Sequence, residues 1–155
     1  MCPLARPLYL DDLKVGDSFV SAPGVLHDDD ILAFGRRYDP QPFHVDPAAA
    51  KASIFGGLIA SGFQTIALSF RLMWDTGTFD GTNLGGHGLD EVRWPNPVRP
   101  GEALTVTATV ESLHPSKSRP DRGTARMRYV TRNPKGEVVL SMLAHQIVKR
   151  RSPAS

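Results

Sequence analysis

The sequence predicts an α+β fold in which an antiparallel sheet wraps around one long buried helix. Residues 58–73 carry apolar side chains on nearly every helical face, which is typical of a helix that is covered all round. Further on, Leu104, Val106, Ala108 and Val110 alternate with threonines, the period of two that a half-buried strand shows. Short polar turns such as residues 133–136 separate the later strands and favour antiparallel neighbours.

Length and composition indicate one ordinary globular domain. The 155 residues, 41% of them apolar and 22% charged, fit a single domain over 1–155, with a loose arm over about 1–10 and a frayed tail over about 150–155. Cys2 is the single cysteine, so no internal disulfide can form, and the first six residues lack the apolar run of a secretion signal. We therefore expect a cytoplasmic protein.

The charge is unevenly divided along the chain. The net charge of +2 combines 6 basic and 11 acidic residues over 1–90 with 12 basic and 5 acidic residues over 91–155. A basic half can attract phosphates, and arginines on solvated strand faces give the same count. The sequence shows neither a basic helix nor the mixture of aromatic and basic residues that is typical of nucleic-acid-binding surfaces. No nucleic-acid partner is therefore expected. Gln64, Ser69 and Arg71 interrupt the longest apolar run, which argues against a membrane span.

The elements before the long helix are short. Ser18–Val20 is a predicted strand, and a helix is predicted to begin at His27–Asp30, with its apolar stripe at Ile31, Phe34 and Tyr38. The aspartates at its start suit capping better than metal binding, so no metal site is expected. A second short helix is predicted over Asp46–Lys51, with Asp46 as its N-cap.

The elements after the long helix are mainly strands. Residues 78–88 are glycine-rich and predicted to be a loop, followed by a short strand over Leu89–Trp94. Residues 125–132 alternate apolar side chains with arginines. Residues 138–148 are apolar on both faces, so we expect this last strand to be central and covered on both sides.

The stretch Tyr38–Asp46 carries the candidate chemistry. Asp39 stands five residues before His44, and Pro40 and Pro42 lie between them. Because each proline fixes its own φ and restricts the residue before it, we predict a stiff, non-helical turn. Such a turn would hold a general base and a partner donor on one water or substrate proton. It could equally be an ordinary turn in which Asp39 ends the preceding helix.

These residues resemble the motif of the MaoC-like dehydratases, which include the (R)-specific enoyl-CoA hydratases of the hot-dog fold. That motif reads Asp-x-Asn-Pro-x-His-x-Asp, with a glycine later at the start of the central helix. Asp39, Pro42, His44 and Asp46 match it in turn, and Gly62 matches the glycine. Two positions depart from the pattern. Gln41 stands where the family has Asn, and Ser61 stands where the hydratases often have His.

The resemblance implies a lyase of fatty acid metabolism that adds water to a trans-2-enoyl-CoA. Asp39 and His44 would hold the water, with Asp39 as the base, and the amide of Gly62 would stabilise the thioester oxyanion. The alternative explanation for a glycine at position 62 is that the helix packs closely on the sheet there. Gln41, Phe43 and Ser61 are the candidate substrate-binding residues. Asp46 is interpreted first as a cap, and His27, His87, His114 and His145 as structural or surface residues.

The resemblance also implies the partners. The CoA thioester is substrate and no cofactor is expected, and two subunits would join sheets edge to edge as a homodimer or a higher assembly of dimers. The candidates for the CoA phosphates are Arg93, Lys117, Arg119 and Arg122. Two alternatives stay open. One is a thioesterase of the same fold, although the long helix contains no acidic residue. The other is a non-catalytic acyl-CoA binder or the partner subunit of a heteromeric dehydratase.

Overall fold

The computed structural model describes residues 6–151 and builds an antiparallel sheet against one long helix. Its helices are α1 (Asp28–Tyr38), α2 (Pro42–Val45), α3 (Pro47–Ala52) and α4 (Gly62–Trp74), preceded by a 3₁₀ turn at Leu10–Asp12. Its strands are β1 (Ser18–Val20), β2 (Gly24–Val25), β3 (Asn83–Arg93), β4 (Ala103–Pro115), β5 (Arg122–Arg132) and β6 (Val138–Lys149). The predicted α+β architecture is confirmed.

The sheet order is β1-β4-β5-β6-β3, and β2 pairs separately with β4. All pairs are antiparallel. The alternation predicted for residues 104–110 holds, because the apolar members are buried and the threonines between them are partly exposed. β6 lies between β5 and β3 and buries residues from both of its faces, as predicted for the last strand.

The long helix begins four residues later than predicted. Ser61 caps α4, and Leu58–Ala60 lie outside the helix. Two of their amides bond to other segments: Ile59 N–H donates to Phe43 O at 3.1 Å, and Ala60 N–H donates to Val98 O at 3.0 Å. The helix is also less covered than predicted, since Phe63 is 62% exposed and Trp74 is 56% exposed. Long-range hydrogen bonds here override an apolar pattern that favours helix.

The buried face of α4 is partly polar. Gln64, Thr65 and Ser69 are buried beside Leu72 and Met73. The Ser69 hydroxyl donates to the carbonyl of Thr65 at 2.8 Å and lies 2.7 Å from the hydroxyl of Thr131 on β5. Since these hydroxyls bond within the helix and to the sheet, the helix can bury them at little cost.

Several shorter predictions need correction. Pro42–Val45 is a single helical turn, because proline is tolerated at the first position of a helix, so the proline-rich turn is not wholly non-helical. In α1 the buried residues are Ile31 and Gly35, whereas Tyr38 is 64% exposed. Residues 83–88, predicted as loop, form the first half of β3, which has register shifts against β6.

Both ends of the described chain are held in the fold. Leu8 and Leu10, which the sequence placed in a loose arm, are held in the fold: Leu8 N–H donates to Thr78 O at 2.8 Å, and Leu10 is buried. The tail was expected to fray from about residue 150, but Arg150 and Arg151 form ion pairs with Asp11 and Asp12. Residues 1–5, with Cys2, and residues 152–155 lie outside the described residues. Between those ends, no helix combines the length and apolar content needed to cross a membrane.

Candidate functional site

Asp39 stands where α1 ends. Its backbone N–H donates to Gly35 O at 2.9 Å, so Asp39 forms the last hydrogen bond of the helix. Pro40 follows, and a residue before proline avoids the helical region, so the chain turns away at this point. At the other end of α1, Asp30 accepts from the His27 amide at 2.9 Å, which confirms the predicted capping by the aspartates. The helix therefore delivers Asp39 at a fixed position.

His44 is carried by the single turn α2 and is 4% exposed. Its Nδ1 lies 2.7 Å from the backbone carbonyl of Ile59. Because a carbonyl can only accept, Nδ1 must carry the proton of that hydrogen bond. Nε2 then faces Oδ2 of Asp39 at 3.3 Å. The structure thus brings the two predicted residues together, with one ring nitrogen committed to the backbone and the other directed at the carboxylate.

Both carboxylate oxygens of Asp39 are bonded to uncharged groups. Gln41 Nε2 donates to Oδ1 at 2.8 Å, and the Ser61 hydroxyl donates to Oδ2 at 2.7 Å. Burial by itself raises the pKa of Asp39, but these two hydrogen bonds and the neighbouring His44 outweigh it, so that the pKa lies below its ordinary value of 3.8. Asp39 is therefore a carboxylate at neutral pH.

The segment 58–61, which precedes α4, supports both members of the pair. Ile59 provides the carbonyl that holds His44, and Ser61, two residues later, provides the hydroxyl that holds Asp39. The stretch that the sequence predicted as the first turn of the long helix instead holds the candidate site.

Gly62 is the first residue of α4, so its amide has no carbonyl within the helix to bond. The Trp94 indole lies directly over it, and Trp94 Nε1–H donates to Gly62 O at 3.1 Å. A Cβ at position 62 would meet the indole at 2.5 Å. Close packing therefore requires a glycine at position 62, as the alternative explanation predicted. The packing partner, however, is the Trp94 indole and not the sheet. The oxyanion role of its amide stays a prediction.

A cavity of about 390 Å³ opens beside these residues. Its polar lining comes from Asp39, Gln41 and His44 of the motif and from Thr65 and Asn96. The remaining lining is mainly apolar. The apolar lining consists of Phe43, Phe55, Ile59, Ala60, Phe63, Trp94, Pro95, Pro97, Val98 and Val139. Such a cavity suits a largely apolar ligand whose reactive group reaches the carboxylate and the imidazole.

The three candidate substrate-binding residues have different surroundings. Phe43 lines the cavity and packs edge-on against His44, with ring centroids 4.6 Å apart. Gln41 also lines the cavity, but its amide is bonded to Asp39. Ser61 is 1% exposed, and its hydroxyl accepts from the Phe63 amide at 3.3 Å while it donates to Asp39. Substrate contact by these residues stays a prediction.

The remaining predicted residues lie apart from the cavity. Asp46 caps α3, accepting from the amides of Ala48 and Ala49, as predicted. None of the four basic candidates for the CoA phosphates lines the cavity, and Arg122 forms an ion pair with the adjacent Asp121. Of the other histidines, His27 stands at the N-cap position of α1, and Nε2 of His145 on β6 lies 2.7 Å from Oδ2 of Asp90 on β3.

Three supporting residues were not identified from the sequence. Ile59 acts through a backbone carbonyl, which no side-chain pattern reveals. Trp94 reaches Gly62 from a distant segment. Gly35 is buried in α1, where a Cβ would meet the carbonyl of His44 at 2.9 Å. A glycine inside a predicted helix, four residues before the candidate base, was the available signal of such a close approach.

Comparison with known proteins places the chain in a family. The family model described as "MaoC like domain" matches residues 13–132. A crystal structure of a MaoC-like dehydratase from Rhodospirillum rubrum has a TM-score of 0.87 and 46% identity, covering 94% of this chain and 99% of that one. A structure with 19% identity and a TM-score of 0.74, described as a double hot-dog fold from Mycobacterium tuberculosis, supports the fold; this chain covers 46% of it.

A curated relative agrees with this. An (R)-specific enoyl-CoA hydratase from Rhodospirillum rubrum is 30% identical over 113 residues, which are 70% of this chain and 74% of that protein. The resemblance stated from Asp39, His44 and Gly62 and the predicted hot-dog fold are therefore confirmed. The chain belongs to the family of MaoC-like domain proteins.

Proposed function

We propose that this protein is a hydratase/dehydratase that adds water to the double bond of a trans-2-enoyl thioester, or removes it in reverse. The observation that carries the proposal is the placement of Asp39 Oδ2 and His44 Nε2, 3.3 Å apart, at the wall of a largely apolar cavity. The name of the Rhodospirillum rubrum relative, an (R)-specific enoyl-CoA hydratase, supports the same reaction class.

In the proposed reaction, one water is held by the Asp39 carboxylate and His44 Nε2. Asp39 accepts a proton as the water oxygen bonds to the β-carbon, and the dyad delivers a proton to the α-carbon, so the net change is the addition of one water. Because Nδ1 of His44 is bonded to the Ile59 carbonyl, Nε2 is the ring nitrogen available for the proton transfer. General acid–base groups of this kind typically contribute about 10²- to 10⁴-fold to a rate.

The thioester carbonyl gains negative charge as the β-carbon is attacked. We place that oxygen at the Gly62 amide, which is free of helical partners and lies at the positive end of the α4 dipole. A well-placed oxyanion donor contributes about 3 kcal/mol to lowering the barrier. Since a Cβ at position 62 would collide with Trp94, a side-chain substitution there changes packing as well as the amide, and cannot test this role alone.

The apolar lining, in which aromatic rings and prolines predominate, suits the acyl and pantetheine portions of an acyl-CoA. Such a thioester is the substrate of the proposed reaction, which needs no cofactor. A thioesterase is disfavoured because α4 carries no carboxylate to serve it. As for assembly, we expect two copies to meet along β3, which is the strand at one end of the sheet order. Light scattering would show that dimer.

The test is hydration of crotonyl-CoA, followed as loss of the absorbance of the conjugated enoyl thioester. We expect the wild-type protein to catalyse it and Asp39→Asn, which keeps the shape of the side chain, to lose on the order of 10³-fold in rate. Bulkier enoyl-CoAs should be included to match the cavity. Full activity in Asp39→Asn would refute the mechanism. Tight binding of every enoyl-CoA without turnover by the wild type would favour the non-catalytic binder.

A further inference from the structure

The two positions at which this chain departs from the family motif, Gln41 and Ser61, meet at one side chain. Gln41 Nε2 lies 2.8 Å from Oδ1 of Asp39, and the Ser61 hydroxyl lies 2.7 Å from Oδ2. We propose that Gln41 and Ser61 are positioning residues that clamp the Asp39 carboxylate, one on each oxygen, and aim Oδ2 at His44. This inference concerns the base of the proposed function and rests on that function only for its catalytic consequence.

The direction of the Ser61 hydrogen bond is fixed by its other partner. The Phe63 amide, which can only donate, points at the Ser61 oxygen at 3.3 Å, so this oxygen is the acceptor there. The single hydroxyl proton is then free for Asp39, which accepts it best as a carboxylate. One side chain therefore caps α4 and holds the candidate base at the same time.

Gln41 completes the clamp from the other side. Its side chain is exposed, whereas Ser61 is 1% exposed, so water competes more strongly for the Gln41 bond. Hydrogen bonds to charged groups are worth more when they are shielded from water. We therefore expect Ser61 to hold Asp39 more strongly than Gln41 does. An asparagine at position 41 is one methylene shorter than glutamine and would have less reach toward Oδ1.

The clamp leaves a defined orientation for catalysis. With Oδ1 bonded to Gln41 and Oδ2 bonded to Ser61, the carboxylate cannot rotate freely, and Oδ2 stays 3.3 Å from His44 Nε2. His44 on α2 is the titratable group that faces Asp39, and the groups from positions 41 and 61 are uncharged. Loss of either uncharged donor would therefore make the ionised form of Asp39 less favourable without removing a charge.

This role differs from substrate binding in what it predicts. Ser61 is buried and is not among the residues that line the cavity, so it has no surface to offer a ligand. A residue that binds substrate raises KM when it is removed, whereas one that orients the base lowers kcat and changes its pH dependence. The two interpretations can be separated by experiment.

The primary measurement needs no substrate: titration of the Asp39 carboxyl by ¹³C NMR on protein labelled at aspartate. The Asp39 resonance is identified by its absence from Asp39→Asn. We expect the midpoint to move to higher pH in Ser61→Ala, to move less in Gln41→Leu, and to return toward the wild-type value in Ser61→Thr. Midpoints unchanged in both Ser61→Ala and Gln41→Leu would overturn the proposal, whatever the enzyme's activity.

Helix capping is controlled with a further variant. Ser61→Gly also removes the hydroxyl, but glycine at an N-cap costs the helix only a few tenths of a kcal/mol. Ser61→Gly should shift the titration midpoint of Asp39 as Ser61→Ala does. Its melting temperature should be closer to that of the wild type than the melting temperature of Ser61→Ala is. If Ser61→Ala loses stability but neither variant moves the midpoint, Ser61 is only a cap and the clamp is rejected.

Kinetics then tests the catalytic consequence separately. In hydration of an enoyl-CoA, the acidic limb of the kcat profile should move to higher pH in Ser61→Ala, and kcat near neutrality should fall on the order of tenfold with KM unchanged. If Ser61→Ala raised KM and left the acidic limb of the kcat profile in place, Ser61 would be a substrate-binding residue instead. If the wild-type protein has no activity but the NMR midpoints move as expected, the clamp stands and the proposed hydratase function fails.

Discussion

Two pairs of an aspartate and a histidine occur within residues 6–151, and they lie in very different surroundings. In the inner pair, Asp39 and His44, the carboxylate and imidazole are 3.3 Å apart, and their side chains are 15% and 5% exposed. In the outer pair, Asp90 and His145, the distance is 2.7 Å, and the side chains are 63% and 21% exposed. The outer pair, whose two side chains are closer to each other, lies outside the cavity of the candidate site. The inner pair, whose side chains are farther apart, lines that cavity.

The difference shows that separation alone does not identify a site. His44 is fixed by the Ile59 carbonyl, and Asp39 by two further donors. The outer pair instead joins β3 to β6 at a register shift, next to Glu91, which adopts a positive φ of 52° and pairs with Arg128. We infer that the outer pair stabilises this irregular edge strand, whereas the inner pair is the one proposed to act on substrate.

The largest expected effect comes from removing one histidine from each pair. His44→Ala should lower the rate of enoyl-CoA hydration on the order of 10³-fold, because the proposed proton transfer loses its Nε2. His145→Ala should change the rate by less than about twofold, since exposed ion pairs contribute only about 0–1 kcal/mol even to stability. Initial rates with the same substrate, on variants first checked for cooperative melting, measure both.

Equal losses in the two variants would contradict the distinction between the pairs. Asp90→Asn serves as a further control on the outer pair. It removes the charge of Asp90 and keeps nearly the same shape, so its activity should follow that of His145→Ala rather than that of Asp39→Asn.

The next largest effect is expected from a substitution that moves the inner pair but replaces neither Asp39 nor His44. Gly35→Ala adds a Cβ that would lie 2.9 Å from the His44 carbonyl and 2.9 Å from Val45 Cγ1. The α2 turn must shift to admit it, at about 1–3 kcal/mol of strain, partly offset by the better helix propensity of alanine. We expect a lower melting temperature and a loss of activity on the order of tenfold, as His44 moves relative to Asp39.

Gly57→Ala is the matched control for Gly35→Ala. Its Cβ would meet only the Arg99 guanidinium, at 3.4 Å, a contact that a flexible side chain can accommodate. Both melting temperature and activity should stay close to those of the wild type. A fully active Gly35→Ala would show that the position of α2 does not determine the geometry of the pair.

The sequence predicted the parts of the molecule that depend on local patterns. The alternation over 104–110, the caps at Asp46 and at the aspartates of α1, and the pairing of Asp39 with His44 all follow from short-range rules. Apolar periodicity was misleading at Leu58–Ala60, which were predicted to be helical but lie outside α4. Their backbone bonds to Phe43, Val98 and His44 come from segments far away in sequence, and no local pattern shows them.

The same limit applies to the two departures from the motif. Read along the chain, Gln41 and Ser61 are separate substitutions twenty residues apart, and each could be interpreted as weakening the match. Only the folded chain brings them to the same carboxylate. The family resemblance identified the candidate pair, whereas the support of that pair depends on tertiary contacts.

The smallest expected effect is on stability at acidic pH. The pKa of Asp39 is lowered in the folded protein, so its carboxylate contributes stability that is fully present above the unfolded value of 3.8 and is lost as the pH falls through the folded value. Asp39→Asn cannot titrate. The difference in unfolding free energy between the wild type and Asp39→Asn should therefore be constant above about pH 5 and decrease below it.

Urea denaturation at a series of pH values measures this difference, which we expect to be about 1–2 kcal/mol near neutrality. Other aspartates with lowered pKa, such as Asp11 and Asp12 at the surface, are present in both proteins and cancel in the comparison. A difference that stayed constant down to the lowest accessible pH would mean that the bonds from Gln41 and Ser61 do not favour the charged form. The inner pair would then be distinguished from the outer pair by its burial, by its place at the cavity and by the Ile59 carbonyl that holds His44.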